Sequence, residues 1–267
     1  MPSKAAAPRG RAGRGGYLPA LGLVVAAVMA WQAAVVVRSV PAWLLPSPAR
    51  IASSLVADRA LFAANAGTTA VESIAGFALS LVVAGLLAAA IRFSRTLERV
   101  LWPLLVASQT VPVPAIAPLL VLWMGYGIAP KIVVVALICF FPLTVNAVDG
   151  LRAADPQLLD ALRTLGADRR RLFWQVEVPG ALPAAFTGIK TAAAYAVVGA
   201  VLGEWLGGVR GLGVVMLQAK AQLLTARVFA SLVWLSAIGV AMFGLAALAE
   251  RLALPWYHTA VRERNWR

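Results

Sequence analysis

Cysteine and histidine are almost missing from this chain of 267 residues: Cys139 and His258 are the single examples. A lone cysteine closes no intrachain disulfide, and one Cys with one His builds no metal cage. Disulfide-stapled and zinc-site classes are therefore excluded. Cys139 sits inside an apolar run, reads as a small core residue, and says nothing about redox compartment. With His258 near the C-terminus and no nucleophile–base pairing around it, a membrane enzyme has nothing to work with. Also missing is any match to G-x-x-x-x-G-K-[ST], so ATP hydrolysis would have to come from another chain. There is no internal repeat and no soluble domain.

Acidic residues are scarce as well, 11 against 24 Lys and Arg, giving a net charge of +13. Such a balance suggests nucleic acid, but a nucleic-acid binder gathers its basic residues on one soluble face. Here they sit in short loops between apolar runs, and no nucleic-acid partner is expected.

Hydrophobic residues are plentiful: they make up 61% of the chain, and the mean hydropathy is +0.82. Soluble domains hold roughly 45–50% apolar residues. A run of about 20 apolar residues forms a helix of about 30 Å, enough to cross the hydrocarbon core. The chain reads as an all-α, polytopic membrane protein with the bilayer as its first partner. Six spans are expected near 18–37, 67–91, 100–124, 131–149, 184–207 and 229–250. The run after Lys4, Arg9, Arg11 and Arg14 is too long for a signal peptide, so it reads as an uncleaved first span. The chain then divides into a disordered basic tail at 1–16, a transmembrane domain at 17–257, and a second tail at 258–267.

Charge placement orients the chain. Sixteen basic residues fall in the segments on the side of both termini. Seven fall opposite: Arg38, Arg50, Arg59, Lys131, Arg210, Lys220 and Arg227. The positive-inside rule puts both termini in the cytoplasm. Trp43, Trp123, Tyr126 and Trp205 lie near the proposed outer boundaries, as interfacial aromatics do. A short interfacial helix is expected over Ile51 to Phe62, and a re-entrant or interfacial segment after the Gly207–Gly213 cluster. Pro112, Pro114 and Pro118 interrupt the third span and predict a kink or break. Broken backbone at membrane depth must be covered, so this segment is expected to face the bundle interior.

Between spans four and five lies a polar, Arg-rich island at 150–183 on the cytoplasmic side. Asp155-Pro156 has the form of a helix start, with Asp as N-cap and Pro at the first position. Leu158, Leu159, Leu162 and Leu165 recur at helical spacing, and Gly166 ends the helix. Ala167-Asp168 opens a second helix, and Pro179 and Pro183 mark the return to the membrane. A helix–Gly–helix element outside the bilayer is built to dock on a partner. The alternative is an interfacial helix held by anionic lipid through its arginines.

Asp160-Ala161, Gly166 and then Val176-Glu177-Val178-Pro179 resemble the EAA loop of bacterial ABC importer permeases. That loop runs Glu-Ala-Ala, Gly, then Ile-x-Leu-Pro. This chain differs by Asp160 for Glu, Leu162 for the second Ala, and Val for Ile and Leu. The strings QTVPVPAIAPLLVLWMGYG and FFPLTVNAVDGLRAADPQLL are similar to the nitrate, sulfonate and taurine subfamily. GIKTAAAYAVVGAVLGEWLGG is similar to members importing pyrimidine precursors of thiamine or related vitamins, and the likeness runs from about Pro41 to Trp256.

The resemblance implies a type I importer permease fold, with a cytoplasmic coupling helix between spans four and five. It implies a transport subunit rather than an enzyme, in the bacterial inner membrane. Asp160, Ala161, Gly166, Val176, Val178 and Pro179 would couple to the ATPase. The implied partners are two ATP-binding subunits, a second permease copy in a homodimer, and an external solute-binding protein. No cofactor is expected on this chain, since ATP and Mg would sit on the partner ATPase.

Ionisable residues inside spans are costly and are functional candidates by default. Glu204 would line the path or gate, or else reach water or pair with Arg210. Glu72 reads as interfacial and structural, and Lys190 as snorkelling to headgroups or lining the path. Gln109, Asn146, Pro112 and Pro114 complete the candidates for the translocation path. Gly199 and Gly203 form a close-approach pattern suited to a dimer seam. Two rivals lack support. Gly125-Tyr126-Gly127 has neither the preceding Thr-Val nor the pore helix of a channel filter. An ion-driven secondary transporter would show paired inverted halves.

Overall fold

The computed structural model describes residues 17–257. The tails expected at 1–16 and 258–267, and His258 with them, lie outside the described residues. Among the described residues every regular element is helical. Helix α1 is Tyr17–Val37, α2 Pro48–Ala57, α3 Arg59–Phe93, α4 Arg95–Ser108, α5 Val113–Met124 and α6 Ile128–Arg152. Then follow α7 Pro156–Thr164, α8 Arg169–Leu172, α9 Val178–Gly207, α10 Leu212–Ala221 and α11 Thr225–Ala253.

Four helical stretches are long and apolar enough to cross a membrane: α3, α6, Arg169–Gly207 and α11. The α4–α5 pair makes a fifth candidate, bent by 99° at its break. Helix α1 is apolar over 21 residues. Helix α3 starts well before the expected boundary at 67. Its 35 residues give a length of about 52 Å, more than the hydrocarbon core requires.

Three expectations are corrected here. The interfacial helix expected over Ile51 to Phe62 ends at Ala57, because Asp58 turns the chain and α3 begins at Arg59. Span five does not begin after the prolines. The helix is continuous from Arg169, with a π-helical turn at Phe173–Glu177 just before Pro179. Proline lacks an N–H and crowds the carbonyl four residues back, and a widened turn at that point accommodates it. Within this chain the proline segment of the third span is not covered: Gln109, Pro112, Pro114 and Pro118 are all exposed on it. The break falls at Gln109–Pro112, while Pro114 sits in the first turn of α5, where no donor is lost.

Helices α6 and α9 form the core, with α3 and α11 packed around them. Their approach is set by small residues. A Cβ on Gly199 would lie 2.8 Å from the Val135 Cα, and one on Gly203 would lie 3.1 Å from the Lys131 Cα. The glycine pattern thus faces α6 of the same chain rather than a dimer seam. Ala192, Ala193, Ala196 and Ala200 continue the stripe and are fully buried with Val135 and Cys139.

Where α2 meets α3, Asp58 accepts two hydrogen bonds from Arg227 of α11, at 3.0 and 2.7 Å, and a third from Ser54. The Arg227 guanidinium holds the Asp58 carboxyl below its ordinary value of 3.8. Replacing Asp58 with Asn should cost about 1 kcal/mol, or about 2–4 °C in melting temperature for a chain of this size. A carboxyl with a depressed folded-state pKa stabilises above its unfolded value and loses that contribution as pH falls through the folded one. The deficit of the variant is therefore full at pH 7 and shrinks below the ordinary value of 3.8. Melting curves of the detergent-solubilised protein across pH check this.

Candidate functional site

The polar island folds into two short capped helices. The Asp155 carboxylate accepts from the Gln157 N–H at 2.9 Å, which starts α7. At the other end the Gly166 N–H reaches the Arg163 carbonyl at 2.9 Å, and the Ala167 N–H reaches the Leu162 carbonyl at 3.0 Å. These are the two bonds of a Schellman ending, and Gly166 adopts the φ of +87° it needs. No atom would crowd a Cβ at Gly166. Conformation alone demands glycine there. Asp168 then caps α8 by accepting from the Arg171 N–H at 2.8 Å.

Helix α7 has two unlike faces. Pro156, Leu159 and Arg163 look inward onto a pocket of about 660 Å³, and Leu159 is buried. The other face carries Leu158, Ala161, Leu162 and Leu165, one apolar stripe at helical spacing. Leu165 is 82% exposed and Leu158 48%. Asp160 lies beside this stripe, exposed and paired among the described residues only with Arg163 of its own helix at 2.6 Å. Val176, Val178 and Pro179 are half-buried on the π-helical turn and the start of α9.

Arginines fasten this element to the ends of the spans. Arg92 of α3 pairs with Glu177, a buried residue that the sequence pattern leaves as an unassigned position. Arg169 donates to the Arg92 and Phe93 carbonyls at 3.2 and 2.9 Å, satisfying the end of α3, and lies over the Phe93 ring. Arg152 pairs with Glu98 of α4 and lies 4.7 Å from the Trp102 ring centre.

At the opposite end of α9 lies a buried charged cluster. Lys131 Nζ donates to Glu72 Oε1 at 2.6 Å and to the Arg210 carbonyl at 3.3 Å. Thr69 donates to Glu204 Oε1 at 2.6 Å, and the Gly213 N–H donates to Glu204 Oε2. The Leu212 N–H donates to Thr69 at 2.9 Å, and the Gly211 N–H to Asn65 at 2.8 Å. Helix α10 begins after Gly211, which has no side chain with which to cap it. Glu204 supplies the cap from α9, and a Cβ on Gly211 would collide with that carboxylate.

Several placements differ from the sequence expectation. Glu72 and Glu204 are each 1% exposed, so neither reaches water, and Glu204 bonds to Thr69 and the Gly213 N–H rather than to the Arg210 side chain. Lys131 is buried in α6 rather than in an outer loop. Lys190 does not snorkel; it pairs with Glu250 of α11 at 2.5 Å. Asn146 donates to the Pro142 carbonyl at 2.8 Å, one turn back along α6, at the crossing with Gly188 of α9. Gln109 is exposed at the end of α4. The structure therefore gathers Glu204 with Glu72 and Lys131, but keeps Lys190, Asn146 and Gln109 apart from them. Thr69, Asn65, Glu177 and Glu250 also take part, and the sequence pattern alone assigns them no role. Glu250 had a usable signal: an acid in the last span with a lysine in the fifth is a charge seeking its counterpart.

Residues 81–254 match the family described as binding-protein-dependent transport system inner membrane component. The chain belongs to this family. This permease is 41% identical over 216 residues to the formylaminopyrimidine transport permease protein ThiX of Halalkalibacterium halodurans, covering 80% of this chain and 86% of that one. It is 38% identical over 266 residues to the riboflavin transport system permease protein RibX of Chloroflexus aurantiacus, covering 96% and 97%. With the putative aliphatic sulfonates transport permease protein SsuC of Bacillus subtilis it shares 31% over 262 residues, covering 95% and 94%. It is thus a multi-pass ABC transporter permease of the group that includes sulfonate, taurine and thiamine-precursor members.

Breaking the buried ion pair on one side only should be severe. Lys131→Met leaves Glu72 without its counter-ion and should cost about 3–5 kcal/mol. The Glu72→Gln/Lys131→Met double variant should recover most of that loss. Thermal unfolding of the three variants in detergent checks it, and additive losses would contradict the pairing.

Proposed function

We propose that this permease forms the translocation path of an ATP-driven importer and receives its driving force through α7. The observation that carries this reading is the exposed leucine stripe of α7. Leucines so exposed on a short helix outside the spans mark a protein-contact surface, and a helix-in-groove contact reads i, i+3, i+4 and i+7 anchors. Leu158, Ala161, Leu162 and Leu165 have that spacing. The occupant is the groove of an ATP-hydrolysing subunit, one for each of two permease copies. Asp160, Ala161 and Gly166 set this contact, and Val176, Val178 and Pro179 carry it into the span. ATP and Mg belong to that partner, and cargo arrives from an external binding protein.

The excess of basic residues at the α7 end supports a cytoplasmic placement of that end and of both termini, in a bacterial inner membrane. The solute is a small polar molecule, with a pyrimidine-type heterocycle favoured over a sulfonate or nitrate. Support for this choice comes from the 41% identity to a relative named for formylaminopyrimidine, against 31% for one named for sulfonates. Because Glu204 is sealed inside the chain, it acts on the path from behind, by holding α10, rather than by touching cargo. The exposed Gln109, Pro112 and Pro114 segment faces the second copy or the path between copies, while Asn146 and Lys190 hold α6 and α11 against α9.

In proteoliposomes with the cognate ATPase and binding protein, Leu165→Asp and Gly166→Val should each lower ATP-dependent uptake at least tenfold. Expression and membrane insertion should stay normal. Full uptake in both variants, or uptake by the permease without ATPase or nucleotide, would overturn the reading.

A further inference from the structure

The pocket under α7 has a second feature that docking on α7 does not use. Its wall holds Arg92, Arg95, Arg152, Arg163 and Arg169. Carboxylates neutralise three of these: Glu177 pairs with Arg92, Glu98 with Arg152, and Asp160 with Arg163. Arg95 and Arg169 have no carboxylate partner among the described residues, and Arg169 spends only one nitrogen on backbone carbonyls. Two unneutralised guanidiniums in one pocket are a site for an anion with several oxygens.

A second cavity adjoins the first and has the opposite character. It encloses about 420 Å³ between α3, α6 and α9, is lined almost wholly by apolar residues such as Leu86, Ala147, Leu182 and Ala185, and shares Ala88, Phe93 and Leu151 with the basic pocket. The basic pocket sits where the apolar run of α3 ends at Arg92 and α4 begins at Arg95. The apolar crevice runs back along α3 and α9, and Leu86 on its wall is exposed on this chain.

We propose that these two cavities together bind one anionic phospholipid, its phosphate held by Arg95 and Arg169 and one acyl chain laid in the crevice between α3 and α9. Charge complementarity selects the headgroup, since basic pockets between spans hold acidic lipid at the cytoplasmic leaflet. The crevice selects a lipid over a free anion. The bound lipid would brace the inner face of α7, through Pro156, Leu159 and Arg163, while the outer face stays free. This site stands whether or not α7 docks on an ATPase.

Native mass spectrometry of the full chain, released from detergent with either phosphatidylglycerol or phosphatidylcholine, tests the proposal. The wild type should retain phosphatidylglycerol at least tenfold over phosphatidylcholine. Arg95→Gln, at an exposed position with no carboxylate partner among the described residues, should remove most of that preference without changing the melting temperature. Ala185→Trp should fill the crevice and lower phosphatidylglycerol retention at least threefold. Equal retention of the two lipids by the wild type would overturn the site. So would displacement of phosphatidylglycerol by millimolar inorganic phosphate together with full retention in Ala185→Trp, since the pocket would then take a free anion.

Discussion

The close approach of α6 and α9 is the constraint from which the rest of the molecule follows. Glycine at positions 199 and 203 lets the two backbones come together where a side chain would collide with Val135 and crowd Lys131. That register places Lys131 against Glu72 of α3 and so commits three spans to one arrangement. It also places Glu204 one face away, where its carboxylate starts α10. A buried charge is tolerable only with its partners in place. The cluster therefore holds the loop between α9 and α10, the start of α10 and the adjoining parts of α3, α6 and α9 in one geometry.

The same helix reaches the other side. From Arg169 to Gly207 the chain is helical throughout, so one rod runs from the buried cluster to the turn that follows α7. The π-helical turn at Phe173–Glu177 lies where the rod meets the island, and Glu177 in that turn is tied to Arg92 of α3. Turns of this kind concentrate at functional sites. Motion of α7 would therefore be passed to α3 and α9 together, and through α9 to the loop that Glu204 holds.

What could be read from the sequence was local. The caps at Asp155 and Asp168 and the ending at Gly166 each depend on residues within a few positions, and the structure has all three. Apolar runs gave the helices but not their ends, because α3 and the rod continue as helix beyond their apolar runs and hydropathy does not record that. The prolines marked a break without locating it: Pro114 sits harmlessly in a first turn. Pairings across the fold were out of reach. Glu72 with Lys131, Glu177 with Arg92 and Lys190 with Glu250 join residues 59, 85 and 60 positions apart. Gly199 and Gly203 announced a close contact but not with which helix.

The account rests on the outer face of α7 being seated in an ATP-hydrolysing subunit. Cysteine cross-linking measures that contact directly, in a Cys139→Ser background that leaves no native thiol. With the cognate ATPase in native membranes, Leu165→Cys should form a cross-link to a cysteine placed in the ATPase groove. Leu122→Cys, equally exposed but on α5, should form none. Absence of the Leu165 cross-link in a complex that still transports would contradict the account.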